Sequence, residues 1–214
     1  MHRLNILRRL GTATRFRAGA MIYERGSPAE TVYIVESGEV IKKITSPEGH
    51  EIAIQRAVPN EMIPMTSLCA SGDRYQTDCT AHTDCELTAV GVPALRRALK
   101  DHHDLTLLLL DMSLRSLWTR NRQLADCSLS SVRAKLCKWL LEIAAEQRAA
   151  DNRKIGVDFH YSERVIGLFL GGVSRESVSR EMSFLIKVGL ITRDGPLLTI
   201  PDPIKLAAMI DIPG

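Results

Sequence analysis

The chain has 214 residues, a formal net charge of +3, 45% hydrophobic and 25% charged residues. That length accommodates one large domain or two modest ones, and the near-balanced charge excludes binding to nucleic acid through bulk positive charge, leaving a local basic face as the alternative. Five cysteines with no Cys-x-x-Cys pair and no secretory h-region predict reduced thiols in a cytoplasm, and the apolar run Leu107 to Leu110 stops at Asp111, too short to span a bilayer.

From about Phe16 to Val92 the residues alternate in strand fashion between glycines at Gly19, Gly26, Gly38, Gly49 and Gly72. Val32 and Ile34 fall on one face of a strand, and Tyr33 and Val35 on the other. Ser37-Gly38 and Pro47-Glu48-Gly49 then turn the chain. Short strands between regular turn signals predict a compact antiparallel barrel or roll. Cys69, Cys79 and Cys85 read as small buried residues of that β-core.

A short helix is predicted at about Pro93 to Lys100, and a longer one from about Asp104 to Asp126. Leu107, Leu110, Leu114, Leu117, Asn121 and Leu124 alternate by three and four residues along the longer one, the a/d spacing of a coiled-coil seam with Asn121 at an a position. Such a stripe also fits a helix lying on its own domain. A further helix, about Ser130 to Gln147, carries Val132, Leu136, Leu140 and Ile143.

Ser162 to Leu170 reads as a helix with Ser162 as N-cap. Gly171-Gly172 permit a sharp turn, Ser174 caps a second helix, and Gly189 stops it. Val157 to Tyr161 alternates like a strand, and Thr192 to Ile200 reads as a hairpin with Asp194-Gly195 at its turn. Asp202-Pro203 opens a last helix. Helix, turn, helix and hairpin in this order form a winged helix-turn-helix. Within the second helix Arg175, Glu176, Ser179 and Arg180 share one face. Arg offers a planar fork that matches guanine, Glu can accept from cytosine N4, and Ser174 and Ser177 can reach a base edge or a phosphate. A single reader of this kind needs a twin to span two half-sites, so the leucine stripe becomes a dimer seam.

These residues resemble the Crp/Fnr family of bacterial transcription regulators. The resemblance rests on Phe16, Gly19, Ile22, Gly26, Val32-Tyr33, Val35, Gly38, Val40 and Asp84-Cys85-Glu86-Leu87 in the N-terminal half. In the C-terminal half it rests on Ile166-Gly167, Leu170-Gly171, Ser174 to Arg180 and Gly189-Leu190-Ile191. It implies a cyclic-nucleotide-binding-type roll, and a half-site related to the TGA core through Glu176 and Arg180. One residue more than usual, within Gly172-Val173, separates the turn glycine from Ser174. The sensor departs further. Where cyclic-AMP-binding relatives carry Gly-Glu-Leu and Arg-Ser, the matching positions read Pro64-Met65 and Tyr75-Gln76, and their Thr-Ser contact to the base becomes Arg120-Asn121. A methionine cannot accept ribose hydroxyls and a tyrosine cannot neutralise a phosphate. No cysteine precedes Cys69, so the N-terminal iron–sulfur set of oxygen sensors is missing, and the haem positions of carbon-monoxide sensors read Pro64 and Thr66.

The expected fold is α+β: an N-terminal antiparallel, jelly-roll-like β-roll over 1–103, a long dimerisation helix over 104–128, and a C-terminal winged helix-turn-helix over 129–214. The expected function is a homodimeric transcription regulator that binds a palindromic double-stranded DNA site through Ser174, Arg175, Glu176, Ser177, Ser179 and Arg180, works with RNA polymerase, and does not respond to cyclic AMP. The alternative is a regulator gated by an unidentified small molecule, or by a redox or gas signal, in the roll. A small molecule would sit near Met65, Tyr75, Arg120 and Asn121. No catalytic set, metal cluster, cofactor or membrane contact is predicted.

Overall fold

Residues 4–68, 73–129, 131–150 and 157–210 are described by a computed structural model. Two units emerge, Met1–Arg120 and Asn121–Gly214, with the boundary inside one long helix. Nothing in the chain breaks that helix there, because no glycine or proline lies between His103 and Leu129.

Unit 1 opens with α1 (Leu4–Leu10), whose Leu4 and Leu7 are buried. Two four-stranded sheets follow. One runs in the order β1 (Thr12–Phe16), β8 (Cys85–Gly91), β3 (Thr31–Ser37), β6 (Met62–Ile63). The other runs β2 (Met21–Tyr23), β7 (Asp78–Ala81), β4 (Val40–Thr45), β5 (Glu51–Ala57). All their pairings are antiparallel. Ile22, Val35, Val40, Ala57, Cys79 and Leu87 form a core shared by both sheets. Val32, Ile34 and Val90 point the other way, into a second core with Leu4 and Leu7 of α1, Leu95 of α2 (Val92–Asp101), and Leu105 and Leu109 of α3 (His103–Leu129). So β3 is buried on both faces, where a half-exposed strand would show only one. The regular glycines hide this, since each face of β3 alternates correctly by itself.

Unit 2 assembles α4 (Val132–Ala150), a three-stranded sheet in the order β10 (Thr192–Asp194), β11 (Leu197–Thr199), β9 (Val157–Asp158), and helices α5 (Glu163–Phe169), α6 (Arg175–Lys187) and α7 (Pro203–Ala208). Trp139 packs with Phe159, Tyr161 and Phe169, its ring centroid 5.1 to 6.0 Å from theirs. Around that aromatic centre Leu136, Leu140 and Ile143 of α4 meet Ile166, Val178, Leu185, Leu198 and Leu206. Among the described residues no helix is long and apolar enough to cross a membrane.

Candidate DNA interface

Local chemistry sets the start of both short helices. The Ser162 hydroxyl accepts from the Val165 amide, and the Ser174 hydroxyl accepts from the Ser177 amide, so each satisfies an amide that lacks a partner at a helix start. Between them Gly171 and Gly172 both take positive φ, 89° and 82°, a pair of left-handed residues that β-carbons would disfavour. The amides of Gly172 and Val173 then donate to the Gly167 carbonyl, each at 3.0 Å. The turn is thus bonded back onto α5. The extra residue in Gly172-Val173 is absorbed there, and Ser174 still caps α6.

On α6 the buried stripe is Val178, Met182 and Leu185, and Arg175, Glu176 and Arg180 are exposed. Ser177 and Ser179 are half-buried. A relay orders the exposed side. The Arg180 guanidinium donates to the Ser177 hydroxyl at 3.1 Å, and the Ser174 hydroxyl lies 3.0 Å from that of Ser177. Arg180 is therefore held along the helix before any ligand arrives, which lowers the ordering cost of binding. Glu176 lies in the first turn, where the helix dipole favours a negative charge. All six candidate residues sit at the N-cap or within the first two turns of α6.

The hairpin differs in one detail from expectation. Asp194 pairs with Leu197, so the loop is Gly195-Pro196 and Asp194 is the last residue of its strand. Gly195 has φ 56°, the conformation a two-residue hairpin loop requires. Arg193 in this wing was not among the sequence candidates. It is exposed, its guanidinium lies 5.5 Å from the Phe159 ring centre, and its Nε donates to the Gly195 carbonyl. A cation on a hairpin strand is the signal that could have found it.

On α3 the residues Leu107, Leu110, Leu114 and Leu117 are 47 to 56% exposed, and Trp118, unflagged in the sequence, is 62% exposed. Leu105 and Leu109 face the opposite way and are buried. Asn121 is exposed, and the side chain of Leu124 lies outside the described residues.

Of the four proposed effector residues, Met65 and Tyr75 fall into different cores of unit 1. Met65 lies on a single 3₁₀ turn, Met65–Leu68, and packs against the core beneath α1 and α2. Tyr75 belongs to the other core, stacked on Tyr23 with ring centres 4.1 Å apart, its hydroxyl donating to the Thr31 carbonyl. Burial pushes that phenol up to about 12, and neither a neutral phenol nor its anion can balance the charge of a phosphate. Arg120 donates to Gln55 Oε1 at 2.9 Å and to the Ser116 hydroxyl at 3.0 Å. Lys42 Nζ reaches the same Gln55 oxygen at 3.3 Å. A pair of cations thus converges on one neutral acceptor inside the roll. The Tyr23 hydroxyl is buried beside Thr77 and Cys79, without a hydrogen bond of ordinary geometry. Burial pushes the Cys79 thiol up to about 12, which makes it an unreactive thiol. Cys85 and Cys137 are likewise buried and free; Cys69, and the side chain of Cys127, fall outside the described residues.

Lys42 is 5% exposed, and burial first, then the nearby Arg120 charge, brings its ammonium down to about 8. The unfolded chain then binds the proton more tightly than the folded one, so roll stability rises as pH climbs from about 8 to 10.5. Lys42→Met is expected to stabilise the roll at pH 7 by about 3 kcal/mol, the free energy of such a shift. That advantage should shrink across the same window. Denaturant unfolding of both proteins at pH 7, 9 and 10.5 measures it, and a constant difference would disprove a charged Lys42 in the core.

Comparison with known proteins gives a consistent picture. Residues 13–102 match the cyclic nucleotide-binding domain family, and residues 134–209 match the Crp-like helix-turn-helix domain family. The chain is 26% identical over 192 residues to the CRP-like cAMP-activated global transcriptional regulator of Mycobacterium tuberculosis (strain ATCC 25618 / H37Rv), covering 90% of this chain and 85% of that protein. It is 26% identical over 211 residues to the global nitrogen regulator of Synechocystis sp. (strain ATCC 27184 / PCC 6803 / Kazusa), covering 94% and 92%. In fold it is similar to FixK2 from Bradyrhizobium japonicum, with a TM-score of 0.83 at 20% identity over 95% of this chain and 99% of that one.

Proposed function

The chain belongs to the Crp/Fnr family of transcription regulators, which are DNA-binding proteins and not enzymes, and from that premise we propose that it is a cytoplasmic homodimer reading a palindromic duplex with α6, without cyclic AMP. The observation that carries this reading is the split of α6 into a buried stripe, Val178, Met182 and Leu185, and an exposed side bearing Arg175, Glu176 and an Arg180 already aligned by Ser177. Arg175 and Arg180 present donor forks suited to guanine and phosphate. Glu176 can accept from cytosine. Ser174, Ser177 and Ser179 supply short polar groups that fit against the backbone.

Two half-sites need two copies of α6, and α3 supplies the seam in this proposal: its exposed leucines and Trp118 are the apolar surface that a second copy would cover. RNA polymerase is the expected partner on the bound promoter. The test is selection of bound duplexes from a random pool. A palindrome with two half-sites about one helical turn apart supports the proposal, and recovery of no common sequence refutes it. Adding cyclic AMP should leave the affinity for the selected duplex unchanged, since the residues matching the phosphate and ribose contacts of cyclic-AMP-binding relatives in sequence, Tyr75 and Met65, are a neutral phenol and an apolar side chain that pack into different cores.

Arg180→Ala is expected to lower affinity for the selected duplex by about 1–3 kcal/mol and to relax one base position. Anisotropy titrations on matched and scrambled duplexes measure this. Equal losses on the two would make Arg180 a phosphate contact only. The affinity of the unaltered protein should fall steeply with salt as phosphate contacts release counterions.

A second reading is favoured by one observation in the roll. The Lys42 and Arg120 cations share the neutral Gln55 oxygen, with the Glu61 carboxylate near enough for its charge to act on Arg120, and a small anionic effector would relieve the remaining repulsion between the two cations. The discriminating measurement is DNA affinity with and without small dianions, which this second reading requires to differ.

A further inference from the structure

Arg133, in the first turn of α4, makes two contacts with one helix. Its Nε donates to Glu181 Oε2 at 2.8 Å, and its guanidinium carbon lies 4.1 Å from the centre of the Phe184 ring. Glu181 and Phe184 are three residues apart on α6, so they stand one above the other on a single flank. Glu181 directly follows Arg180, and that flank separates the exposed reading side from the buried stripe. The ion pair is itself sheltered, with side-chain exposures of 23% and 17%.

We propose that Arg133 is a positioning residue for DNA reading, fixing how far α6 is rolled about its own axis. Apolar burial of Val178, Met182 and Leu185 draws α6 onto the core, but that force is non-directional and tolerates small rotations. A planar guanidinium is directional. Its carbon sits over the Phe184 ring while its Nε meets the Glu181 carboxylate, and both contacts hold together only within a narrow range of rotation of α6. Rolling α6 by even one side-chain width would carry Arg175, Glu176 and Arg180 out of register with base edges, while leaving the helix folded and its charge unchanged. The fully buried Cys137, one turn further along α4, lies close enough to both Arg133 and Glu181 for their charges to act on its thiol, which places it beside the pair. A sheltered ion pair of this kind is weakly screened by salt. The proposal rests on the reading of α6 as the DNA-contacting helix, and it adds a residue that touches no DNA.

The test uses the full-length protein and the duplex it selects from the random pool, with a scrambled duplex of the same length. Arg133→Met and Glu181→Gln are each expected to lower the ratio of selected to scrambled affinity about tenfold, within the range of coupling for residues in direct contact. The double variant should lose no more than either single one, because the two act as a unit. Arg133→Lys keeps the charge without the planar fork and should recover only part of the ratio. Affinity for the scrambled duplex and the salt slope should stay at their unaltered values, as no phosphate contact is removed. Titrations are run at a temperature where circular dichroism shows each variant folded; Arg133→Lys, the mildest change, keeps the question open to refutation if Arg133→Met unfolds. Equal losses on both duplexes with a shallower salt slope would make Arg133 a phosphate ligand and overturn the proposal. Full discrimination in folded Arg133→Lys and Glu181→Gln would overturn it as well, leaving the α6 reading intact. A protein that selects no duplex at all would instead remove the α6 reading itself.

Discussion

Replacing Gly167 with alanine is expected to cost unit 2 about 3 kcal/mol, the upper part of the range for overpacking a filled site. A β-carbon built on Gly167 would lie 2.1 Å from the Val173 carbonyl oxygen and 3.2 Å from its carbonyl carbon. Both are backbone atoms, so no side chain can swing aside. Moving Val173 away is also resisted, because its own amide and that of Gly172 are bonded to the Gly167 carbonyl. The displacement therefore passes straight into Ser174 and the start of α6. For a unit of this size the melting temperature should fall by roughly 10–20 °C, and affinity for the selected duplex should fall with it. Gly189→Ala is the control. Gly189 has φ 73° with nothing within 4 Å of a built β-carbon, so alanine there meets only left-handed backbone strain of about 1 kcal/mol. Thermal melts of the two variants decide the matter: an alanine at 167 no more damaging than one at 189 would show that the turn is not clamped to α5.

That contrast shows what was legible in the sequence. Ser162, Ser174 and Asp202 were readable as caps because capping is settled within three residues, and the structure has all three accepting amide hydrogens as expected. The left-handed pair Gly171-Gly172 was readable for the same reason. Gly167 stands out in the sequence only as part of a motif, since its importance comes from the Val173 backbone packing across the turn. The pairing of Arg133 with Glu181 joins residues 48 apart, and no local pattern encodes it. Helix α1 went unread: two buried leucines in seven residues make too weak a periodicity to separate from a strand or a loop. The burial of Lys42 was invisible because a lysine in an alternating strand reads as its solvent side. Of the proposed effector set, Tyr75 and Arg120 line the inside of the roll or its edge, whereas Met65 turned into the neighbouring core. Family positions fixed the alignment, but the single 3₁₀ turn at Met65–Leu68 decided the direction.

For the proposed homodimer, Leu114→Asp is expected to shift the protein to a monomer in sedimentation velocity at micromolar concentration. Five side chains on α3, from Leu107 to Trp118, are each about half exposed in the single chain. Burying the remaining half of each contributes about 1 kcal/mol, so ten such side chains in a dimer supply roughly 10 kcal/mol. Association itself costs about 4–15 kcal/mol in lost freedom of motion. The margin is therefore narrow, and a change of a few kcal/mol at the seam is decisive. An aspartate at position 114 enters once from each copy. The two carboxylates would face each other across an apolar stripe, each losing water without gaining a partner, at a cost of several kcal/mol per charge. Leu114→Met keeps volume and polarity and should remain dimeric, which separates loss of the seam from general disturbance of α3. The roll of the aspartate variant should melt as before, because Leu105 and Leu109, not Leu114, carry the contact of α3 with the roll core. DNA binding follows the same logic. A monomer presents a single α6, so affinity for the palindrome should fall toward that for one half-site, a loss of orders of magnitude arising from the vanished second contact alone. An aspartate variant that sediments as a dimer would place the two-fold seam elsewhere on the molecule.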